Sequence, residues 1–403
     1  MTDVVQPKTR FAPAATERQS EREGEGVGHM ATSVKGFSAF GVGIAAVLLA
    51  ACGSQAQPPV SGQQTAGWND VVAQANKEGK VVIVGSGPEE QRTALTETFK
   101  KRYPQIDVDY TLMAGSAPVP ILLAQQAANK VEIDIVIIGV AGNLPLLDAG
   151  ALADVHPFLL GPDLDESKQL NGKWQFADTA GKYLLVFSAY VKLAWAYTPD
   201  QVEPSQFTSW KDMLDPKWKG KIIMGDPTSP GAGAGTANYW YASSELGKPF
   251  VDQFFKQQDL TLSRDDNQMI NAVAQGKSLI GIGIGDGALA AAINKGLPVK
   301  AEAAAQLKEK PYVTAGNGGM TIVKNAPHPN ATRVYVDWLL SAEGQGLWAK
   351  STGTPSYRQD ASHEGVFDVM VPKPGVEYFE TQKEDFARHQ SEAGQYIKTL
   401  LGT

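Results

Sequence analysis

The sequence predicts an α/β fold in which parallel strands are covered by helices on both faces, in two successive regions. Three observations lead there. Short, unbroken apolar runs recur at 80–84, 133–138, 221–224 and 278–284, as strands buried on both faces require. Segments of helical spacing stand between them in β-α-β order. Small-residue turns close several strands just before the next helix.

Taken in order, Trp68, Val71, Val72 and Ala75 mark a helix over 68–78. A strand at 80–84 runs into Gly85-Ser86-Gly87-Pro88. An amphipathic helix follows over 89–103, with Leu95, Phe99 and Tyr103 on one face, and Pro104 stops it. Residues 106–110 alternate as a strand, Gly115-Ser116 precedes a helix through 128, and the strand 133–138 ends at Gly139. A second region repeats the plan. Residues 183–197 (YLLVFSAYVKLAWAY) form one long extended stretch. The strand 221–224 enters the turn GDPTSPGAGAGT, and an aromatic-rich helix spans 237–246. Residues 268–275 are helical, 278–284 a strand and 288–295 a helix. Residues 300–308 read as helix or loop, 321–323 as a strand and 331–340 as an amphipathic helix.

The chain has 403 residues and a net charge of −7. Charges within 1–51 cancel, so the rest carries the whole negative balance. That excludes nucleic acid and polyanionic surfaces as expected partners but leaves room for a small anion held locally. The roughly 335 residues beyond the leader suggest two domains and need no disulfide to hold a core. Cys52 is the single cysteine, so none forms within the chain.

Cys52 closes the apolar run 37–51 as Leu49-Ala50-Ala51-Cys52, which looks like the lipobox of a bacterial lipoprotein. That resemblance implies lipidation of the thiol, cleavage before Cys52 and attachment to the cell membrane. The run is 15 residues, short of the about 20 that a spanning helix needs. Lys35 supplies the positive flank of a signal peptide, and small residues end the run. An uncleaved anchor and a buried helix stand as alternatives. Residues 1–29 are polar, lack a periodic apolar face and read as disordered, and a start at Met30 would give a signal of ordinary length. The segment 52–67 is the lipidated Cys and a tether; 55–67 (QAQPPVSGQQTAG) is flexible by composition.

Ligands of open α/β sheets bind at the carboxyl ends of strands, where helix N-termini present free N–H groups. The candidates are therefore Ser86 and Gly87, Ser116, Gly139, then Ser229, Gly231, Ala232 and Thr236, and finally Arg264 and Asp286. The hydroxyls could instead be plain N-caps. Arg264 could grip a carboxylate or phosphate with two nitrogens, or pair with Asp265 or Asp266 at the surface. Asp286 could meet a ligand hydroxyl or amine, or cap the next helix. Gly283-Ile284-Gly285-Asp286-Gly287-Ala288 fits GxGxxA with Glu302 about 20 residues on, but 300–308 does not read as the strand that should carry the acid. No GxSxG, HExxH or CxxC occurs, and the histidines 156, 328, 363 and 389 are scattered. No enzyme and no cofactor is expected, although a hydrolase using scattered carboxylates stays open.

Several stretches together resemble a family. Asn325-Ala326-Pro327-His328-Pro329-Asn330-Ala331, then Trp338-Leu339-Leu340-Ser341 and Glu343-Gly344-Gln345, are similar to a signature of solute-binding proteins of bacterial ABC importers. Pro88-Glu89-Glu90-Gln91, Leu214-Asp215-Pro216-Lys217-Trp218-Lys219-Gly220-Lys221, Gln275-Gly276-Lys277 and Gly353-Thr354-Pro355-Ser356-Tyr357-Arg358 agree. The match runs from about 68 to about 360 and points to the ferric-iron and phosphonate branch. It implies the type 2 periplasmic-binding-protein fold, with lobe one over 60–188 and 306–403, lobe two over 189–305, and the solute in the cleft between them. It also implies a permease and ATPase as partners and a monomer as the working state. Ferric-iron binders of the branch place paired tyrosines after the strand matching 280–284; here that place reads Gly285-Asp286-Gly287-Ala288. Tyr239 and Tyr241 face different directions on a helix, which suits packing. A small polar or anionic organic solute is thus expected. Iron or an iron chelate, and a sensory role without import, remain alternatives.

Overall fold

The computed structural model describes residues 10–11, 67–113, 115–229, 231–303 and 307–402. The lipobox at Cys52 and the tether lie outside them.

The first βαβ units follow the sequence pattern closely. In order come β1 (Arg10–Phe11), α1 (Trp68–Glu78), β2 (Lys80–Gly85), α2 (Glu89–Arg102), β3 (Asp107–Leu112), α3 (Pro118–Ala127), β4 (Ile135–Ile138), α4 (Val140–Asp148) and β5 (Leu152–Ala153). β6 (Gln175–Phe176) comes next, and the extended stretch is broken into β7 (Leu185–Val186), β8 (Tyr190–Val191) and β9 (Leu193–Tyr197). Next are β10 (Ile222–Gly225), α5 (Ala232–Ala242), α6 (Gly247–Gln257), β11 (Thr261–Ser263), α7 (Asp266–Ala274), β12 (Ile280–Ile282), α8 (Asp286–Asn294) and β13 (Lys300–Ala303). The chain ends with β14 (Tyr312–Thr314), β15 (Gly319–Val323), α9 (Pro329–Leu339), α10 (Ala342–Thr352), β16 (Phe379–Glu380) and α11 (Glu384–Leu401).

Two main sheets result, in the orders β3-β2-β4-β15-β7-β6 and β1-β11-β10-β12-β9-β13, with β5 beside β15. The parallel arrangement expected from sequence holds for β3-β2-β4 and for β11-β10-β12. β1 also lies parallel to β11, and the remaining pairs of these sheets are antiparallel. The first sheet is covered on one face by α1, α2 and α9 around Phe99, Tyr335 and Trp338, and on the other by α3 and α4 around Leu122 and Ile138. The second sheet packs an aromatic core of Trp195, Phe207, Trp210, Trp240 and Phe254 on one face, and Ile270, Val273 and Leu289 on the other.

The stretch 183–197 does not stay in one sheet. β7 belongs to the first sheet and β9 to the second, while β8 pairs antiparallel with β14 between them. β16 joins that ribbon parallel to β14. Its three apolar strands therefore serve three sheets, which explains why the run reads as continuously buried.

Three local expectations are corrected. Residues 232–235 form the first turn of α5, with Gly231 as its N-cap, rather than a turn ahead of it. Glycine there permits close packing: a Cβ on Gly283 would sit 2.6 Å from Gly233 Cα, and Gly283 holds φ +66°. Residues 300–303 are a strand, not helix or loop. Glu302 faces Trp195 on β9, which stands between β12 and β13, so the adjacent parallel strand pair of a dinucleotide site is still missing. Within 1–29, Arg10 and Phe11 form a strand on the edge of β11, whose unpaired N–H and C=O groups can accept any extended segment.

The sequence division sets 306–403 with the first lobe, yet the C-terminal part of that segment packs against both cores. Phe367 and Met370 join Ile284 and Leu289. At the start of α11, Glu384 accepts from the Thr179 N–H at 2.7 Å and Arg388 pairs with Asp148 at 2.7 Å. At its end, Tyr396 donates to Asp252 at 2.6 Å, and Ile397 and Leu401 enter the core of Trp240 and Phe254.

Asp337 of α9 generates a pH prediction. Its Oδ1 accepts from the Asp163 N–H at 2.9 Å, while Oδ2 is buried without a partner. Burial pushes its carboxyl up to about 6; the Asp163 N–H opposes this and the Asp163 charge adds to it. The folded value lies above the unfolded one, so this group stabilises fully below about pH 4 and its contribution is lost as pH rises towards 6. Asp337→Asn keeps an acceptor for Asp163 and is expected to gain about 1–2 kcal/mol at pH 7 and flatten the decline between pH 4 and 6. Urea unfolding across that range checks it; an unchanged pH slope would refute it.

Candidate functional site

In both sheets the parallel strands deliver short loops to helix N-termini. β2 leads through 86–88 to α2, and β4 through Gly139 to α4. On the second sheet β10 leads to α5, β11 through Arg264 and Asp265 to α7, and β12 through 283–285 to α8. The segments singled out from sequence lie at these sheet ends, and the structure shows what their side chains do.

Most of the candidate hydroxyls are already committed. Ser86 is buried and donates to the Met113 carbonyl at 2.7 Å, tying the β2 loop to the end of β3. Ser229 donates to Asp226 Oδ2 at 3.1 Å and Thr228 to Oδ1 at 2.7 Å. Thr236 is fully buried on α5, against the Ala232 carbonyl at 3.1 Å and the Tyr312 hydroxyl at 2.9 Å. Ser116 alone among them is exposed. Gly139 lies with Gly115 and the turn Thr314–Asn317 around a pocket of about 190 Å³ that also takes in Gln382 and Gln390. Neither Ser86 nor Arg264 lines that pocket.

Arg264 stands differently. Its Nε donates to Asp226 Oδ2 at 2.7 Å, and its side chain is 68% exposed while that of Asp226 is 1% exposed. Sequence had offered Asp265 or Asp266 as its surface partners. Asp265 instead caps α7 by accepting from the Gln268 N–H at 3.1 Å, and Asp266 accepts from the Gly285 N–H at 3.0 Å. Burial works to raise the Asp226 carboxyl, but bonds from Thr228, Arg264 and Ser229 outweigh it and hold it below its ordinary value. Asp226 is thus a charged, buried post that fixes one edge of the guanidinium and leaves the terminal nitrogens facing solvent. Gly231 and Ala232 sit on the same loop, at the start of α5, where N–H groups are free of helical partners.

Asp286 is placed elsewhere. Its carboxylate is buried, 2.7 Å from Lys192 Nζ, and accepts from the Leu193 N–H at 3.0 Å. Lys192 also donates to the Ile284 carbonyl at 2.7 Å. Asp286 therefore joins α8 to the crossing strand between β8 and β9. Sequence reasoning missed Lys192, although a lone lysine inside YLLVFSAYVKLAWAY was a visible signal. Tyr190 and Tyr312 lie beside this pair, and burial together with the Asp286 charge pushes both hydroxyls well up. Tyr239 stacks on Tyr312 and donates to the Lys310 carbonyl at 2.8 Å, and Tyr241 donates to Glu392 at 2.7 Å. These tyrosines are packing and bridging groups, and the buried ones resist forming the phenolate that a ferric ion takes. Among the described residues, no group of three or more His, Cys, Asp and Glu is placed to hold a metal ion.

The fold is a two-lobed α/β architecture with helix N-termini at the strand ends of both sheets. The family profile of bacterial extracellular solute-binding proteins matches residues 61–346, and the chain belongs to that family. Such membership places it outside the cytoplasm. Among solved structures, the periplasmic binding protein AfuA from Actinobacillus pleuropneumoniae with fructose-6-phosphate bound has a TM-score of 0.59 and 18% identity, covering 80% of this chain and 99% of that one. The Trichodesmium protein IdiA (FutA), in complex with iron and citrate, has a TM-score of 0.63 and 16% identity, with the same coverage. At these identities the likeness shows the fold alone. An uncharacterized protein of Haemophilus influenzae is 31% identical over 148 residues, 34% of this chain, and the match spans only 38% of that relative's length.

The buried pair generates a stability prediction. Lys192→Met leaves Asp286 buried and uncompensated and is expected to cost about 3–5 kcal/mol, whereas Lys192→Met with Asp286→Leu recovers most of it. Urea unfolding of both variants decides. If Asp286 were free to serve a solute, the single substitution would leave stability unchanged.

Proposed function

We propose that this protein is the substrate-binding component of an ABC importer, capturing a small anionic organic solute between its lobes and delivering it to a permease and its ATPase. The observation that carries the reading is Arg264: a guanidinium fixed through Nε by buried Asp226, a residue of the loop between β10 and α5, with the rest of its side chain largely exposed. An oriented fork of this kind suits the two oxygens of a carboxylate or phosphate. The negative net charge is no obstacle, because recognition of a small anion is local. The solute class agrees with the sugar phosphate and the citrate named for AfuA and IdiA. Binding rather than turnover is the role. Closure follows when the solute prefers the closed arrangement.

Lobe one comprises 60–188 and 306–403 and lobe two 189–305, with the C-terminal segment braced across both. Cys52 carries the lipid, and the tether that follows leaves a monomeric binder near its permease and free to close.

Isothermal titration with citrate, fructose 6-phosphate and inorganic phosphate tests the site. Arg264→Ala is expected to weaken the bound probe by about 10–100-fold, and Arg264→Lys to keep charge but lose about tenfold through loss of the fork. Binding by Arg264→Ala equal to wild type sinks the assignment. For the anchor, Cys52→Ala expressed in the native host should move the protein from the membrane fraction to the soluble one; retention at the membrane contradicts lipidation.

A further inference from the structure

A cavity of about 450 Å³ opens beside β3, the outer strand of the first sheet. Neither Ser86 nor Arg264 lines it. The parallel register sets Val82 beside Asp109 and Val84 beside Thr111. Lys80, Val82, Val84, Asp109 and Thr111 therefore share one face of the sheet, and that face forms the floor. Ile133, buried ahead of β4, adds apolar surface, and His328, ahead of α9, also lines the cavity.

The His328 ring is held in one orientation. Asp134, fully buried, accepts at Oδ1 from the His328 N–H at 2.9 Å. Its Oδ2 accepts from the Val82 N–H at 2.8 Å and meets His328 Nδ1 at 2.8 Å. A carboxylate only accepts, so Nδ1 carries the proton of the neutral ring and Nε2 its lone pair. The backbone bond already ties the turn to Asp134, so the ring bond adds orientation. Nε2 has no partner among the described residues, and the side chain keeps 14% of its surface exposed. A fixed acceptor of this kind asks for an N–H or O–H. Around it stand two acids, Asp109 and Glu132, and one amine, Lys80. Glu132 meets Lys130 at 3.4 Å, whereas Asp109 and Lys80 form no ion pair with any described residue. Two carboxylates and a lone pair disfavour a phosphate and favour an ammonium group, while Lys80 suits one carboxylate. The valines and Ile133 suit an aliphatic body.

We propose that this cavity is a second small-molecule site, separate from the solute loops, and that it binds an aliphatic amino acid. The ammonium group meets His328 Nε2 and Asp109, the carboxylate meets Lys80, and the side chain lies over Val82 and Val84. The site stands independently of the anion reading above. Isothermal titration of the full chain with L-leucine tests it. Wild type is expected to bind one leucine, and Arg264→Ala to bind it equally well. Glycine, which lacks the apolar body, and isocaproate, which lacks the ammonium group, should each bind about tenfold more weakly. His328→Asn places an amide donor where Nδ1–H stood, so it keeps the bond to Asp134 and deletes Nε2. It is expected to weaken leucine by about tenfold, which a purely structural histidine would not produce. Asp109→Asn, on the exposed outer strand, should weaken leucine by about threefold or more and decides the matter if His328→Asn does not fold. Wild type that binds no leucine overturns the inference. So does a folded His328→Asn that binds like wild type, or, if that variant does not fold, an Asp109→Asn that does. Loss of leucine binding in Arg264→Ala would place leucine at the solute loops and overturn it as well.

Discussion

The ion pair between Lys192 and Asp286 holds the place where the chain passes from one sheet to the other. Both side chains are out of solvent, and the lysine reaches the Ile284 carbonyl as well as the carboxylate. Asp286 in turn accepts from the Leu193 N–H at the start of β9. Two charges in such a place are tolerated only because each is met by the other and by backbone groups. The pair thereby registers the crossing strand against α8, so the end of β12 and the ribbon of β8 and β14 keep one geometry. A hydrophobic pair could supply comparable stability there but no such directional register.

That register matters because the crossing ribbon is thin. β8 and β14 are paired over Val191 with Val313 and Tyr190 with Thr314. The C-terminal segment thickens it through β16, and α11 braces it from outside, held by Arg388 and Glu384 at one end and by Tyr396, Ile397 and Leu401 at the other. An 18-residue helix is about 27 Å long, enough to touch both lobes.

Much of the fold was legible from period and punctuation. The helices α1, α2 and α9 and the strands β2, β4 and β10 have sharp apolar patterns, because each buries one stripe or two full faces. The elements misread are those whose state depends on distant partners. The glycine run opening α5 is helical because Gly225, Gly233 and Gly283 pack backbone to backbone. The weakly patterned strand 300–303 exists because β9 offers an edge. The site was legible as positions on loops, not as roles. Ser86, Ser229 and Thr236 looked like ligand groups and are internal bonds, since a hydroxyl near a turn finds a carbonyl or carboxylate more readily than a solute.

By itself the sequence determined the α/β class and the small-residue loops at strand ends, because local spacing and residue type carry that information. Only the tertiary structure decided which polar groups are spent and which are free. Asp226 and Asp286 are both acids after a strand on the second sheet, and nothing local separates them. One meets Arg264 from a neighbouring loop and leaves its fork in solvent; the other meets Lys192 from the crossing strand and disappears into the interior. The partner's position in space, not its place in the sequence, sets whether a charge can be offered to a ligand.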